Sequence, residues 1–217
     1  MFDKKPVTRM EGTIAGCGFA SGDRFVAGIW EQGPLGPMND RMWAQPNGTR
    51  ILLAEDQRIA SYVGGVYEFD RVEVVEFDVR ESTPARLRLR AGPIELDLEA
   101  RRGPRIFDLR PKVLRRARWW IRVEDVALRP LVGRFLLKGA EGVRGYGMSP
   151  SGVREWYAID SYSPVVAAEG TINGRDLGNM APLDPPVRFG FSEFPTRPAR
   201  VRCAPILEGA EPYLPSD

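Results

Sequence analysis

The 217-residue chain contains no histidine. This absence excludes Ser-His-Asp and Cys-His nucleophilic systems, and it removes the imidazole ligands on which most catalytic zinc sites rely. Histidine is also the one side chain whose unperturbed pKa lies near neutrality. Any acid–base catalysis must therefore use carboxyl groups with shifted pKa values, a lysine, a tyrosine or a cysteine.

Other catalytic and targeting signatures are also missing. The sequence has no GxxxxGK[ST] loop, no GxGxxG turn opening a helix and no CxxC pair, so we expect no cofactor and no metal centre. Cys17 and Cys203 stand far apart, which favours buried, reduced thiols, with a long-range disulfide as the alternative. The N-terminus lacks the apolar run of a secretory signal, and no stretch approaches the ~18 apolar residues of a membrane span. These features predict a cytoplasmic protein.

The composition is that of a folded globular protein, with 43% hydrophobic and 28% charged residues. The 23 glycines and 19 prolines fall in short turn-like clusters, a pattern that favours many short strands over long helices. We predict a mainly β protein, an antiparallel β-barrel or β-sandwich of about nine to eleven strands with roughly one to three short helices. Residues 1–217 show no repeat and no linker-like tract, so they are expected to form a single domain with tails at 1–10 and 210–217.

The clearest local unit is a hairpin between residues 85 and 100. Leucines alternate with arginines in its first half, and isoleucine and leucine alternate with acidic residues in its second half. A two-residue turn at Ala91-Gly92 would place Arg88 opposite Glu95. Charges then pair on one face and apolar side chains on the other, which predicts an antiparallel hairpin with one wet face.

Two further segments have recognisable patterns. Residues 54–63 match a short helix with one apolar side, ended by the glycine pair at 64–65. Residues 71–80 resemble a strand whose alternation slips at 74–75 in the way a β-bulge would.

A basic segment covers residues 101–122, which carry nine lysine and arginine side chains against Asp108 alone. Its core, 111–123, fits an amphipathic helix better than a strand, with Trp120 and Ile121 in the apolar stripe. Localised basicity of this kind is typical of a surface that meets an anionic partner.

Two interpretations of the basic segment remain open. In the first, the helix packs over the sheet and its arginines are solvated or paired with acidic neighbours. In the second, Arg115, Arg116 and Arg118 contact an anionic surface. A membrane surface suits arginines and interfacial tryptophans, whereas nucleic acid is disfavoured because no binding motif appears. The sequence favours the first interpretation.

The segment 153–162 predicts a strand that could line a ligand cavity. Alternation places Arg154, Trp156, Asp160 and Tyr162 on one face and Tyr157 on the other. A guanidinium beside an aromatic ring suits a small molecule with an anionic head and an apolar body. The hypothetical ligand-binding set is Arg154, Trp156, Tyr157, Asp160, Trp43 and Glu31.

These observations favour a protein that holds a hydrophobic or amphipathic small molecule inside a β-barrel. One alternative is a histidine-free enzyme of the same shape, which would use carboxylates or a lysine in the same cavity. The candidates are Lys138, Glu31, Asp40, Glu155 and Asp160. Another alternative is an interaction or membrane-peripheral protein that acts through residues 101–122.

Overall fold

A computed structural model describes residues 5–83, 85–107, 112–128 and 139–210. The protein is mainly β, as predicted, and its strands belong to one sheet. The strands are β1 (Val7–Arg9), β2 (Glu11–Phe19), β3 (Arg24–Gln32), β4 (Met38–Ala44), β5 (Arg50–Ala54), β6 (Arg71–Val74), β7 (Phe77–Thr83), β8 (Arg86–Ala91), β9 (Ile94–Ala100), β10 (Tyr146–Met148), β11 (Arg154–Ile172), β12 (Arg175–Asp176), β13 (Met180–Ala181) and β14 (Ala199–Glu208).

The sheet is open and curled into a half-barrel. Its main path runs β6-β5-β4-β3-β2-β14-β11-β9-β8-β7, and four short strands pair beside this path. Among the described strands, β5 and β6 form the parallel pair, and the pairs along the rest of the path are antiparallel. The expected closed barrel of about nine to eleven strands is therefore wrong, because closure requires the two edge strands to pair and β6 does not pair with β7. A single 14-stranded sheet also replaces the two sheets of a sandwich.

The chain crosses from one edge of the sheet to the other between β6 and β7. These strands are the two ends of the sheet order, yet only Val75 and Glu76 separate them. Such a link spans only about 10 Å, so the two edges must come close together at this point. The slip in alternation at 74–75 is therefore a junction between two strands and not a bulge within one.

The hairpin at 85–100 forms β8 and β9 with the predicted faces but a different register. Arg88 lies opposite Asp97 and Arg90 lies opposite Glu95, because the turn is at Gly92-Pro93 and not one residue earlier. Moving a tight turn by one residue shifts the pairing by two residues, which leaves every side chain on its predicted face. The leucines are buried and the arginines are exposed, as the alternation predicted.

The inner surface of the half-barrel is filled with side chains. One face of β2, β3 and β5 packs with the apolar face of the β8–β9 hairpin in a single buried cluster. Phe25, Ala27, Ile51, Leu87 and Leu96 are among its members, and each is at most 3% exposed. A cavity for a ligand must therefore lie elsewhere, on the opposite face of β2–β5.

The predicted helix near residues 54–63 forms α1 (Gln57–Val66). Asp56 caps its first turn, where its side chain accepts a hydrogen bond from the Ile59 amide at 2.8 Å. The helix continues through Gly64-Gly65 to Val66 and does not end at the glycines, because Val66 is buried against the sheet and this packing outweighs the low helix propensity of glycine.

The basic segment is helical, as predicted, but it is interrupted. It forms α2 (Lys112–Arg115) and α3 (Arg118–Val123), and α3 continues as a π-helical turn to Leu128. Ala117 precedes α3 in an extended conformation, which breaks the expected continuous helix. No helix in the described part of the chain is long and apolar enough to cross a membrane.

The chain begins to pair earlier than expected. Residues 7–9, within the predicted N-terminal tail, form β1 against the end of β14. Most of the C-terminal tail, residues 211–217, lies outside the described residues.

Candidate functional site

A cavity of about 390 Å³ lies on the face of β2–β5 that points away from the hairpin. Its floor includes Val26 and Gly28 of β3 and Met42 of β4, all of which alternate with residues of the filled interior. Helix α1, helix α3, the segments 140–145 and 187–195, and residues of β11 and β14 supply most of the remaining walls. Most of the lining is apolar, so the few polar groups that reach it define its chemistry.

One polar group on the floor is the carboxyl of Asp40. Asp40 is 3% exposed, and the indole N–H of Trp30 donates to its Oδ1 at 2.9 Å. Gly28 makes this contact possible, because a Cβ atom at that position would lie 2.5 Å from Oδ1 and 2.6 Å from the indole nitrogen. Burial raises the pKa of Asp40 to about 7, and the bond from Trp30 offsets only part of that effect.

A second buried acid stands behind the tyrosines of the cavity wall. Tyr67 and Tyr157 line the cavity, and their hydroxyl oxygens lie 2.7 Å apart. Each donates to Oε2 of Glu155, at 2.7 Å from Tyr67 and 3.2 Å from Tyr157. Glu155 is fully buried, and its Oε1 has no hydrogen-bond partner among the described residues. Burial raises its pKa to about 7, so near neutrality the protonated acid is well populated.

Helix α3 and the turn after it provide an acidic wall. Trp120 lines the cavity and donates its indole N–H to Glu124 at 2.9 Å. Asp125 is buried and accepts hydrogen bonds from Arg144 at 2.9 Å and from the Gly145 amide at 2.7 Å. The described lining therefore carries one guanidinium, that of Arg144, against four carboxyl groups, those of Asp40, Glu124, Asp125 and Glu193.

The structure does not bring the sequence-predicted ligand set together. Tyr157 lies on the cavity wall. Trp156 faces the other side of β11, where its ring packs 5.3 Å from that of Tyr146 and 4.6 Å from the guanidinium of Arg118. Arg154 is exposed and pairs with Glu208 at 3.3 Å.

The remaining members of that set lie outside the cavity. Asp160 sits at a bulge in β11 and lies 3.8 Å from Arg116. The bulge reverses the alternation of the strand, so Tyr162, which was expected on the face of Arg154, reaches the cavity instead.

Glu31 and Trp43 have structural partners. Glu31 is exposed and pairs with Arg202 at 2.8 Å. Trp43 stacks on Phe25 and donates to Asp23 at 2.8 Å. Lys138, the candidate for a Schiff base, lies outside the described residues.

The basic residues singled out in the sequence have acidic neighbours. Arg116 pairs with Glu11 at 3.0 Å, and Arg118 pairs with Glu208 at 2.6 Å. Arg115 is half-buried at the end of α2. This arrangement agrees with the first interpretation of the segment for two of the three arginines singled out.

Sequence reasoning missed most residues that make the cavity. The usable signal was in β4, where Asp40 interrupts an apolar alternation between Met38 and Met42. Nothing in the local sequence connects Tyr67, which follows α1, with Glu155, because the two are distant in the chain and meet only in the folded sheet.

The chain matches no model of a known protein family, and no curated protein shows significant sequence similarity to it. Among the described residues, no group of three or more cysteine and acidic side chains could hold a metal ion. The geometry of the cavity therefore carries the functional argument.

Proposed function

We propose that this protein binds a hydrophobic or amphipathic small molecule in the cavity on the outer face of β2–β5. The observation that carries the proposal is a largely apolar cavity of about 390 Å³ that a few polar groups enter. Cavities of roughly 300–1,000 Å³ with this kind of lining are typical of small-molecule sites. An empty apolar cavity of this size costs stability, so a ligand that fills it would stabilise the fold.

The charges of the lining indicate the polar end of the ligand. Four carboxyl groups against Arg144 disfavour an anionic head, even with Asp40 protonated. The polar end is therefore expected to be neutral or cationic, such as a hydroxyl, carbonyl or amine. This replaces the anionic head that the sequence suggested, because Arg154 lies outside the cavity.

The test combines detection of a retained ligand with a matched series of probes. Native mass spectrometry of freshly purified protein should show a bound small molecule. An alcohol, an amine and a carboxylate with the same alkyl chain should then raise the melting temperature to different extents, with the carboxylate the least effective. A ligand at a hundred times its Kd stabilises the native state by about 2.7 kcal/mol, which a melting curve resolves easily.

Blocking the cavity supplies the control. Val143 is a half-buried residue of the lining, so Val143→Trp should place a large ring in the cavity and abolish the shift. Val72 is exposed on β6, so Val72→Trp adds the same ring elsewhere and should leave the shift unchanged. Equal shifts in both variants, or no shift with any probe and no retained ligand, would contradict the proposal.

A second candidate is an enzyme that uses Asp40 as a general acid or base. The raised pKa values of Asp40 and Glu155 favour it, since acid–base catalysis works best when the pKa lies near the working pH. Glu31 and Asp160 no longer belong to this hypothesis, because both lie outside the cavity. Incubating a retained ligand with the protein should give a mass change that Asp40→Asn abolishes and Glu76→Gln, at an exposed site, does not. Full turnover in Asp40→Asn would exclude this role.

A further inference from the structure

Helix α3 exposes an apolar stripe on its outer side. Trp119, Val123 and Val126 are 59%, 43% and 72% exposed, and they follow one another at intervals of four and three residues. This spacing places them on one face across α3 and the π-helical turn. The other exposed large apolar residues on strands lie singly, as Val7 and Val166 do, or as the pair Val72 and Val74 on β6. The stripe is therefore a concentrated apolar surface on a single element.

The stripe stands at the end of the most basic part of the chain. Arg122 lies between two of its members in sequence and is exposed, with its guanidinium 4.9 Å from the ring of Tyr146. Residues 101–122 carry nine basic side chains and one acid. Arg116 and Arg118 form ion pairs with Glu11 and Glu208, so Arg122 is the exposed basic side chain that lies beside the stripe.

An exposed tryptophan among arginines has a specific physical consequence. The indole ring prefers the headgroup level of a bilayer, where its apolar body and its N–H are both accommodated. Each basic residue near an anionic surface adds about 1 kcal/mol of attraction. An apolar helix face with a basic side chain beside it is the pattern of helices that lie in the bilayer interface. A stable protein–protein interface buries about 800 Å² on each partner, far more than three side chains present.

We infer that the Trp119–Val123–Val126 face docks on the surface of a bilayer containing anionic phospholipid. Trp119 enters the headgroup layer and Arg122 lies against the phosphates. The opposite side of the same helix lines the cavity through Trp120 and Ile121. Docking therefore places one wall of the cavity beside the membrane, from which a hydrophobic molecule could enter.

The test uses vesicles of phosphatidylcholine with and without phosphatidylglycerol. The protein should sediment with the anionic vesicles at low salt, sediment poorly with the neutral ones, and be released as salt screens the charges. Trp119→Ser should reduce partitioning at least tenfold. Arg122→Gln should reduce it about fivefold, the equivalent of one basic contact. Val72→Ser, which removes an exposed valine from β6, is the matched control and should change nothing.

Fluorescence distinguishes insertion of Trp119 from electrostatic attraction alone. Anionic vesicles should shift the wild-type emission to the blue, and Trp119→Phe should keep most of the partitioning while losing most of the shift. The inference is overturned if no variant or wild-type protein sediments, or if Trp119→Ser binds like the wild type. It is also overturned if Trp119→Ser instead dissociates a dimer on a sizing column, since a second copy would then cover the face. Because Val143→Trp leaves this face intact, failure of the cavity proposal and failure of the docking inference are separable.

Discussion

Asp40→Asn tests whether the floor of the cavity is as dry as its geometry implies. The amide has nearly the shape of the protonated acid, and its oxygen can still accept the hydrogen bond from Trp30. The substitution therefore removes the ionisation of this group while keeping its packing. Any difference between the two proteins that depends on pH then reports the pKa of Asp40.

The sign and size of the expected difference in stability follow from the burial of Asp40. The folded protein keeps the proton on Asp40 up to about pH 7, whereas the unfolded chain releases it near the ordinary pKa of 3.8. Between these values the folded state binds more protons, so its stability falls as pH rises and levels off above the folded pKa. A rise from 3.8 to about 7 corresponds to about 4 kcal/mol. Relative to the wild type, Asp40→Asn should therefore gain about 4 kcal/mol of unfolding free energy between pH 4 and pH 8.

Urea unfolding at several pH values measures this difference directly. Other titrating groups, including Glu155, contribute to both proteins and cancel in the comparison. Glu76→Gln, at an exposed carboxyl, should track the wild type throughout. Parallel profiles for wild type and Asp40→Asn, within about 1 kcal/mol, would mean that Asp40 is ionised in the folded state. The cavity floor would then be hydrated, which would contradict the binding of an apolar ligand there.

The remaining predictions concern the hairpin, the cavity floor and the thiols. Leu89 is 3% exposed, so Leu89→Ala should lower the free energy of unfolding in urea by roughly 2–5 kcal/mol. Arg88→Glu, at an exposed ion pair with Asp97, should lower it by at most about 1 kcal/mol, and similar losses in the two variants would overturn the assigned faces. Gly28→Ala should lower the free energy of unfolding by about 1–3 kcal/mol, because its new Cβ would collide with Asp40. Gly64→Ala in α1 should raise it by about 1 kcal/mol, because the nearest atom to its new Cβ is 3.9 Å away; equal effects on the melting temperature would contradict the close contact at Gly28. Cys17 and Cys203 are free and fully buried, and burial raises the pKa of both thiols. A colorimetric thiol reagent should therefore label them only in denaturant, and rapid labelling of the native protein would refute their burial.

Local patterns were sufficient for the elements whose stabilisation is local. The β8–β9 hairpin has the predicted wet and buried faces because strand alternation sets both, and only the turn position was wrong. Helix α1 was predicted over residues 54–63, but it begins three residues later, after its Asp56 cap, and its end depends on the burial of Val66. The position of a turn or a helix end can move by a few residues without changing which side chains face the core.

Local sequence patterns could not predict the contacts between residues that are distant in the chain. Residues 71–80 have one alternation slip, and no local rule distinguishes a bulge from a chain that leaves one sheet edge and joins the other. The bulge at Asp160 likewise moved Tyr162 to the opposite face of β11. A single unpaired residue therefore changes the set of side chains that meet in a cavity, while the hydrophobic content of the strand stays the same.

The sequence by itself determined the mainly β class, the hairpin faces and the absence of imidazole chemistry, and it favoured a helix over a strand in the basic segment. These depend on composition, on the periods of strands and helices, and on residue types that are present or missing. Only the tertiary structure decided that the sheet stays open, that its inner face is filled, and that Asp40 and the Glu155–Tyr67–Tyr157 cluster stand at a cavity on the other face. The physical reason is that burial and pKa shifts arise from neighbours brought together by the curl of the sheet, and those neighbours are far apart along the chain.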